Sequence, residues 1–120
     1  MAVMSKVLVL DDNTDGAESL GMLLGLHGHD VRAVTTAKAA FDALADFTPD
    51  VCLLDIRMPG MSGYEVASRM REVLAPGVRV FALTAELDAV ADPRAEVFDQ
   101  VFTKPPDLGE LLGAVAALGH

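Results

Sequence analysis

At 120 residues the chain has the length of one domain, enough to bury a core but too short for that core and a second module of ordinary size. Hydrophobic residues make up 52%, with one Tyr, five Phe and no Trp, so the core is built from Val, Leu, Ala and Met, which excludes disorder and suits helices packed on an aliphatic sheet. Eighteen acidic against nine basic residues leave a formal charge of −9, which repels nucleic acid phosphates and anionic lipid, and the lone cysteine, Cys52, excludes a disulfide framework and a cysteine-based zinc site.

"MAVMSKVLVLDD" at the amino end has neither a basic flank nor a long apolar stretch, and no segment approaches the length of a membrane span. A soluble, cytoplasmic protein that touches neither membrane nor nucleic acid directly is expected. "KVLVL" (6–10) then predicts a strand, and 15–26 a helix with Leu20, Leu23, Leu24 and Leu26 on one side, stopped near Gly28. His27 and His29 flank that glycine; a role at the helix end outweighs metal binding. "HDVRAV" (29–34) alternates as a strand; Thr36 caps a helix to about Leu44, and Pro49 closes the segment after it. "VCLLD" (51–55) is the third strand, with Cys52 an inert small hydrophobe within it. Ser62 and Glu65 have capping-box spacing and open a helix to about Leu74. "VFALT" (80–84) and "QVFT" (100–103) are the last strands, separated by a weak helix over 87–98 that Pro93 interrupts. Asp107 and Glu110 open a final helix to about Leu118.

Strands alternating with helices imply parallel neighbours, right-handed crossovers and an α/β sandwich. In such a sheet every strand delivers its carboxyl end to one edge, where ligands bind. That edge receives Asp11 and Asp12 after "VLVL", Asp55 after "VCLL", Thr84 after "VFAL", and Lys104 with Pro105 after "VFT". One carboxylate at a strand end is commonly a helix cap; four strands each contributing a polar residue are not explained that way. Three carboxylates in one pocket repel unless a cation sits among them, and oxygen ligands without His or Cys select Mg²⁺, or Mn²⁺ in its place. Lys104 and Thr84 supply the charge and the hydroxyl that stabilise a phosphoryl group in transfer, which leaves Asp55 as the nucleophile.

"VLVLDDN", "LLDIRMPGMSGYE", "ALTA" and "FTKP", in this order and spacing, resemble the receiver domain of two-component response regulators across essentially the whole chain. The resemblance implies a flavodoxin-like (βα)5 fold, doubly wound, with a five-stranded sheet in the order 2-1-3-4-5. It implies that Asp55 accepts a phosphoryl group from a histidine kinase or histidine phosphotransfer protein, altering the surface seen by an unidentified downstream protein. Asp12 would ligate Mg²⁺ directly, Asp11 through water, and the backbone carbonyl of Arg57 would be a further ligand beside Asp55. The bond from Lys104 to Pro105 would be cis, and Gly63 would be the family's loop glycine. Such a chain is not an enzyme in the ordinary sense, although it catalyses its own phosphorylation and its own dephosphorylation.

Two departures stand out against that resemblance. The family commonly carries an aromatic switch residue three positions before the lysine, where this chain has Val101; Phe102 is adjacent but alternation sends it to the other face. The stretch from Thr84 to Lys104 is shorter than is usual, so its helix is expected to be short or displaced. Arg57 and Glu86 frame the pocket mouth, where they either pair to restrict attacking water or remain solvated. Met58 and Met61, beside Pro59 and Gly60, fill core or loop in preference to docking a partner. A haloacid-dehalogenase-type phosphatase fits less well, because its two aspartates are separated by one residue, and a flavodoxin needs a less acidic loop than "DDNTDG". A pseudo-receiver that only binds partners rests on Val101 alone. A free-standing single receiver without an output domain is preferred over one excised from a hybrid kinase or larger regulator.

Overall fold

The computed structural model describes residues 5–58, 60–85, 92–104 and 106–116. In chain order it has β1 (Lys6–Leu10), α1 (Thr14–Leu26), β2 (Asp30–Val34), α2 (Ala37–Ala43), β3 (Val51–Asp55), α3 (Gly63–Val73), β4 (Arg79–Thr84), a 3-10 turn (Pro93–Val97), β5 (Gln100–Thr103) and α4 (Leu108–Ala116). All strand pairs are parallel and the order is β2-β1-β3-β4-β5, the expected doubly wound sheet.

Both faces of the sheet are covered, which is why its central strands are apolar without alternation and β3 is buried throughout. Leu8, Leu10, Cys52, Leu54, Val80 and Ala82 pack with Ala40, Val66 and Met70 of α2 and α3. Val7, Val9, Val51, Leu53, Phe81 and Leu83 pack with Ala17 and Leu24 of α1 and Leu111 and Val115 of α4. Cys52 lies wholly inside the first of these layers, and burial pushes its thiol up to about 12. It is an inert core residue, as its surroundings in the sequence suggest.

Each helix starts where a side chain satisfies an otherwise unpaired N–H. Asn13, Thr36, Ser62 and Asp107 accept from Gly16, Ala39, Glu65 and Glu110 respectively, at 2.9, 3.0, 3.3 and 2.9 Å. Asn13 moves the start of α1 one residue ahead of the expected position, and Gly28 ends it with φ of 91°, a conformation natural to glycine.

Two expectations need correction. Leu26 is 84% exposed and does not share a side with Leu24. Two helical steps separate them by about 200°, so the core-facing row is Ala17, Leu20 and Leu24. Between β4 and β5 the described residues form a five-residue 3-10 turn, not a helix running to residue 98. Pro93 has no N–H and sits at the first position of this turn, and Asp92 caps it by accepting from the Arg94 N–H at 2.9 Å. The remainder of that expected helix, residues 87–91, lies outside the described residues, as do 117 and 118 of the last one.

Candidate phosphoryl-acceptor site

β1 runs into Asp11 and Asp12, β3 ends on Asp55, β4 on Thr84, and β5 on Thr103, one residue before Lys104. Because the strands are parallel, these residues meet at one edge. The backbone is fixed just beyond the strand ends: the Asp11 N–H donates to the Val34 carbonyl at 3.2 Å and the Lys104 N–H to the Thr84 carbonyl at 2.7 Å. Asp11, Asp55 and Thr84 are buried, whereas Asp12 faces solvent.

One carboxylate oxygen from each of Asp11, Asp12 and Asp55 lies within 4.8 Å of the others. Lys104 Nζ donates to Asp11 Oδ2 at 2.9 Å and stands 3.5 Å from Asp55 Oδ2. The other oxygens are held by main chain, Asp11 Oδ1 by the Asn13 N–H at 3.0 Å and Asp55 Oδ1 by the Arg57 N–H at 3.1 Å.

These contacts divide the two buried carboxyls. Burial pushes Asp55 up to about 6, an effect that Lys104 and the Arg57 N–H oppose and that the neighbouring Asp11 charge reinforces. Asp11 is also raised by burial, but the Asn13 N–H and the closer Lys104 outweigh it and hold this carboxyl below its usual value. Lys104 is disfavoured as a cation by burial, yet its bond to Asp11 and the two carboxylate charges raise it overall. Lys104 therefore neutralises Asp11 first, and Asp55 is left as the carboxylate whose charge is least supported. Three hard oxygen donors with one lysine among them keep an excess of negative charge, a donor set that fits Mg²⁺ or Mn²⁺.

Gly63 sits against the acceptor strand. Its N–H donates to the Ile56 carbonyl at 2.8 Å, and a Cβ here would overlap the Asp55 carbonyl oxygen. Only glycine lets α3 start this close to Asp55, which gives the expected loop glycine a physical reason. Val101 is half-buried beside Ala82 and Phe98, while Phe102 lies in the opposite layer with its ring 5.7 Å from Phe81, as alternation predicts. Met58 and Met61 are half-buried against the core. Arg57 is exposed; Glu86 and Pro105 lie outside the described residues, and with them the Arg57–Glu86 pair and the cis bond.

Sequence reasoning missed three features. Asn13 both caps α1 and anchors Asp11; its position just before a predicted helix was the available signal. Beside Asp11 and Lys104, a cavity of 690 Å³ opens between α1 and α4, lined by Gly16, Leu20, Leu23 and Leu108. Arg71 at the end of α3 reaches the Val97 carbonyl and Asp99, contacts between residues too distant in sequence for local patterning to reveal.

Solved structures similar to this chain share its fold. Thermotoga maritima TrrA, a response regulator crystallised with Mg²⁺ and BeF, superposes with a TM-score of 0.84 at 28% identity, over 93% of this chain and 96% of that one. The same regulator in complex with the histidine kinase ThkA gives 0.86 at 28%, over 98% and 100%. Among curated relatives, sporulation initiation phosphotransferase F of Bacillus subtilis is 31% identical over 92% of this chain and 90% of its own length. Escherichia coli AtoC is 34% identical over 92% of this chain, which spans only 24% of AtoC. Mycobacterial RegX3 is similarly longer, with 51% of its length spanned. The sequence model of the response regulator receiver domain matches residues 7–116, which takes in the five strands but for Lys6 and the whole polar edge they build, and the chain belongs to that family.

Proposed function

We propose that Asp55 accepts a phosphoryl group from a phosphohistidine of a histidine kinase or histidine phosphotransfer protein, in a reaction that requires Mg²⁺. The observation that carries this reading is the unequal sharing of Lys104, 2.9 Å from Asp11 and 3.5 Å from Asp55, within a cluster of three carboxylates. Asp55 is thereby an anion held at low solvation, and a nucleophile with little water around it needs little desolvation before it attacks.

Asp11, Asp12 and Asp55, with the backbone carbonyl of Arg57, would hold Mg²⁺, which when bound neutralises the carboxylates and the incoming phosphoryl charge. Asp55 Oδ2, the oxygen facing Lys104, attacks phosphorus as the P–N bond to the donor imidazole breaks; the imidazole leaves with the bonding pair and takes up a proton. Lys104 moves from Asp11 to a phosphoryl oxygen, and the Thr84 hydroxyl donates to another. Attack of water on the acyl phosphate later returns Asp55 to its carboxylate. The chain is both catalyst and substrate of these steps, so it does not turn over as an enzyme does.

TrrA supports the reading twice, by its complex with Mg²⁺ and BeF and by its complex with a kinase. Leu108, 48% exposed at the start of α4, lines the cavity beside Asp11 and Lys104 together with Leu20 and Leu23 of α1, and offers a donor protein an apolar landing surface. Phosphorylation is then expected to draw Thr84 and Lys104 inward and alter the surface read by a downstream partner.

Mapping the attachment tests this reading. After incubation with phosphoramidate and Mg²⁺, borohydride reduction of an aspartyl phosphate should leave homoserine at position 55 in the peptide digest. Homoserine at another carboxylate, or none, would refute Asp55 as the acceptor.

A further inference from the structure

The Thr84-to-aromatic lever needs a ring on β5 beneath the site, and Val101 has none. The described residues carry a different connection between Asp55 and the surface. It begins at Gly63, which presses the first turn of α3 against the Asp55 carbonyl and bonds to the Ile56 carbonyl at 2.8 Å. The next residue, Tyr64, is buried, with its ring 5.8 Å from that of Phe98 and the Arg94 guanidinium 4.3 Å above it. Two turns further along α3, Arg71 donates from Nε and Nη2 to the Val97 carbonyl at 3.1 and 2.9 Å and from Nη2 to Asp99 at 2.9 Å. Asp99 in turn accepts from the Val80 N–H at 2.8 Å.

Residues 92–99 are thus clasped to α3 at both ends, by Tyr64 and by Arg71. Between the clasps the segment is held by the Asp92 cap and by Ala95 and Val97, which are half-buried against the core. Its 3-10 turn buries no residue and has only five members, a geometry that is weak in isolation and opens readily. A short turn clasped by side chains of α3 can follow that helix when it moves, while Asp99 ties its far end to β4.

We propose that Tyr64 replaces the missing β5 aromatic as the switch residue: α3 shifts with the Asp55 backbone, and Tyr64 carries the shift through Phe98 and Arg94 to the 92–99 turn. This rests on the phosphoryl-acceptor reading of Asp55. The surface that changes is then the joint between α3 and this turn, where Ser62, Glu65, Ser68, Arg94 and Val97 line a shallow groove. Coupling of this kind is established by measurement of both ends, since contact alone does not demonstrate it.

The experiment is amide exchange with and without Mg²⁺ and beryllofluoride on the wild type, Tyr64→Leu, Arg94→Gln and Val101→Ala, alongside intact mass after phosphoramidate treatment. In the wild type the Ala95, Phe98 and Asp99 amides, which bond to Asp92, Ala95 and Val80 carbonyls, should change their exchange at least several-fold on loading. Tyr64→Leu and the surface variant Arg94→Gln should still gain the phosphoryl group yet lose most of that change, whereas Val101→Ala should keep it. An unaltered response in both Tyr64→Leu and Arg94→Gln, or its loss in Val101→Ala, would overturn the proposal. A wild type that is phosphorylated without any change at 92–99 would also overturn it. Failure of the wild type to gain mass would instead sink the acceptor reading, and this proposal with it. Should Tyr64→Leu not fold, Arg94→Gln, whose side chain lies at the surface, decides alone.

Discussion

Lys104 is one cation between two buried carboxylates, and the 0.6 Å by which it favours Asp11 sets the chemistry of the pocket: 3.5 less 2.9 Å. The consequence for stability is specific in sign. Asp55 is raised from 3.8 to about 6, so the folded protein keeps a proton that the unfolded chain releases, and stability falls as pH rises through that window. Below it both states are protonated and the cost vanishes. Asp11 acts in the opposite sense and stabilises the fold above its unfolded value, because Asn13 and Lys104 favour its charge. Asp55→Asn removes the cost without removing the shape. The metal-free variant should be more stable than the wild type by about 1–3 kcal/mol near pH 8, and the gap should close near pH 4. Urea unfolding across that range reads it directly; a variant less stable at pH 8 would mean that burial of Asp55 is not what perturbs it.

Among the elements, the residue just before β2 is a second titrating device, remote from the site. His29 is buried and its Nδ1 accepts the Ser5 N–H at 3.1 Å, while Ser5 Oγ donates to the Val115 carbonyl of α4 at 3.2 Å. Burial and then the His27 charge lower its pKa, so the unfolded chain takes a proton near 6.5 that the folded protein resists. Stability is full above that pH and declines as pH falls towards the folded value. In an Asp55→Asn background, which removes the opposing carboxyl, His29→Gln should flatten this decline, while its amide oxygen keeps an acceptor for Ser5. A decline that persists in His29→Gln would assign it to another group.

The elements also show what the sequence made legible. Five strand-like runs foretold the sheet, and the four that end in a polar residue placed Asp11, Asp55, Thr84 and Lys104 at one edge, because parallel topology leaves them nowhere else. Local pattern could not foretell the 3-10 turn, which depends on Pro93 meeting the Asp92 cap and on Arg71 arriving from α3. Nor could it rank the contacts of Lys104 with Asp11 and Asp55, since that order is set by distances between strands. Leu26 misled because the apolar content of α1 exceeds what one face can bury, and the surplus faces solvent.

At the scale of the whole molecule, a chain with formal charge −9 concentrates three carboxylates at the edge where its strands end. Self-repulsion of that size disfavours a second polyanion and favours a small cation, which is the combination a receiver uses when it takes phosphate from a protein donor together with Mg²⁺. The clasp between α3 and residues 92–99 then gives the molecule a surface that can report the event. The central claim is that this chain, by itself, takes up one phosphoryl group on Asp55. The most direct measurement is the intact mass of the whole protein after incubation with a small-molecule phosphodonor, with Mg²⁺ and with chelator, beside Asp55→Asn. A single phosphoryl addition that needs both Mg²⁺ and Asp55 is the expected result. No addition, or one that survives Asp55→Asn or removal of the metal, would contradict it.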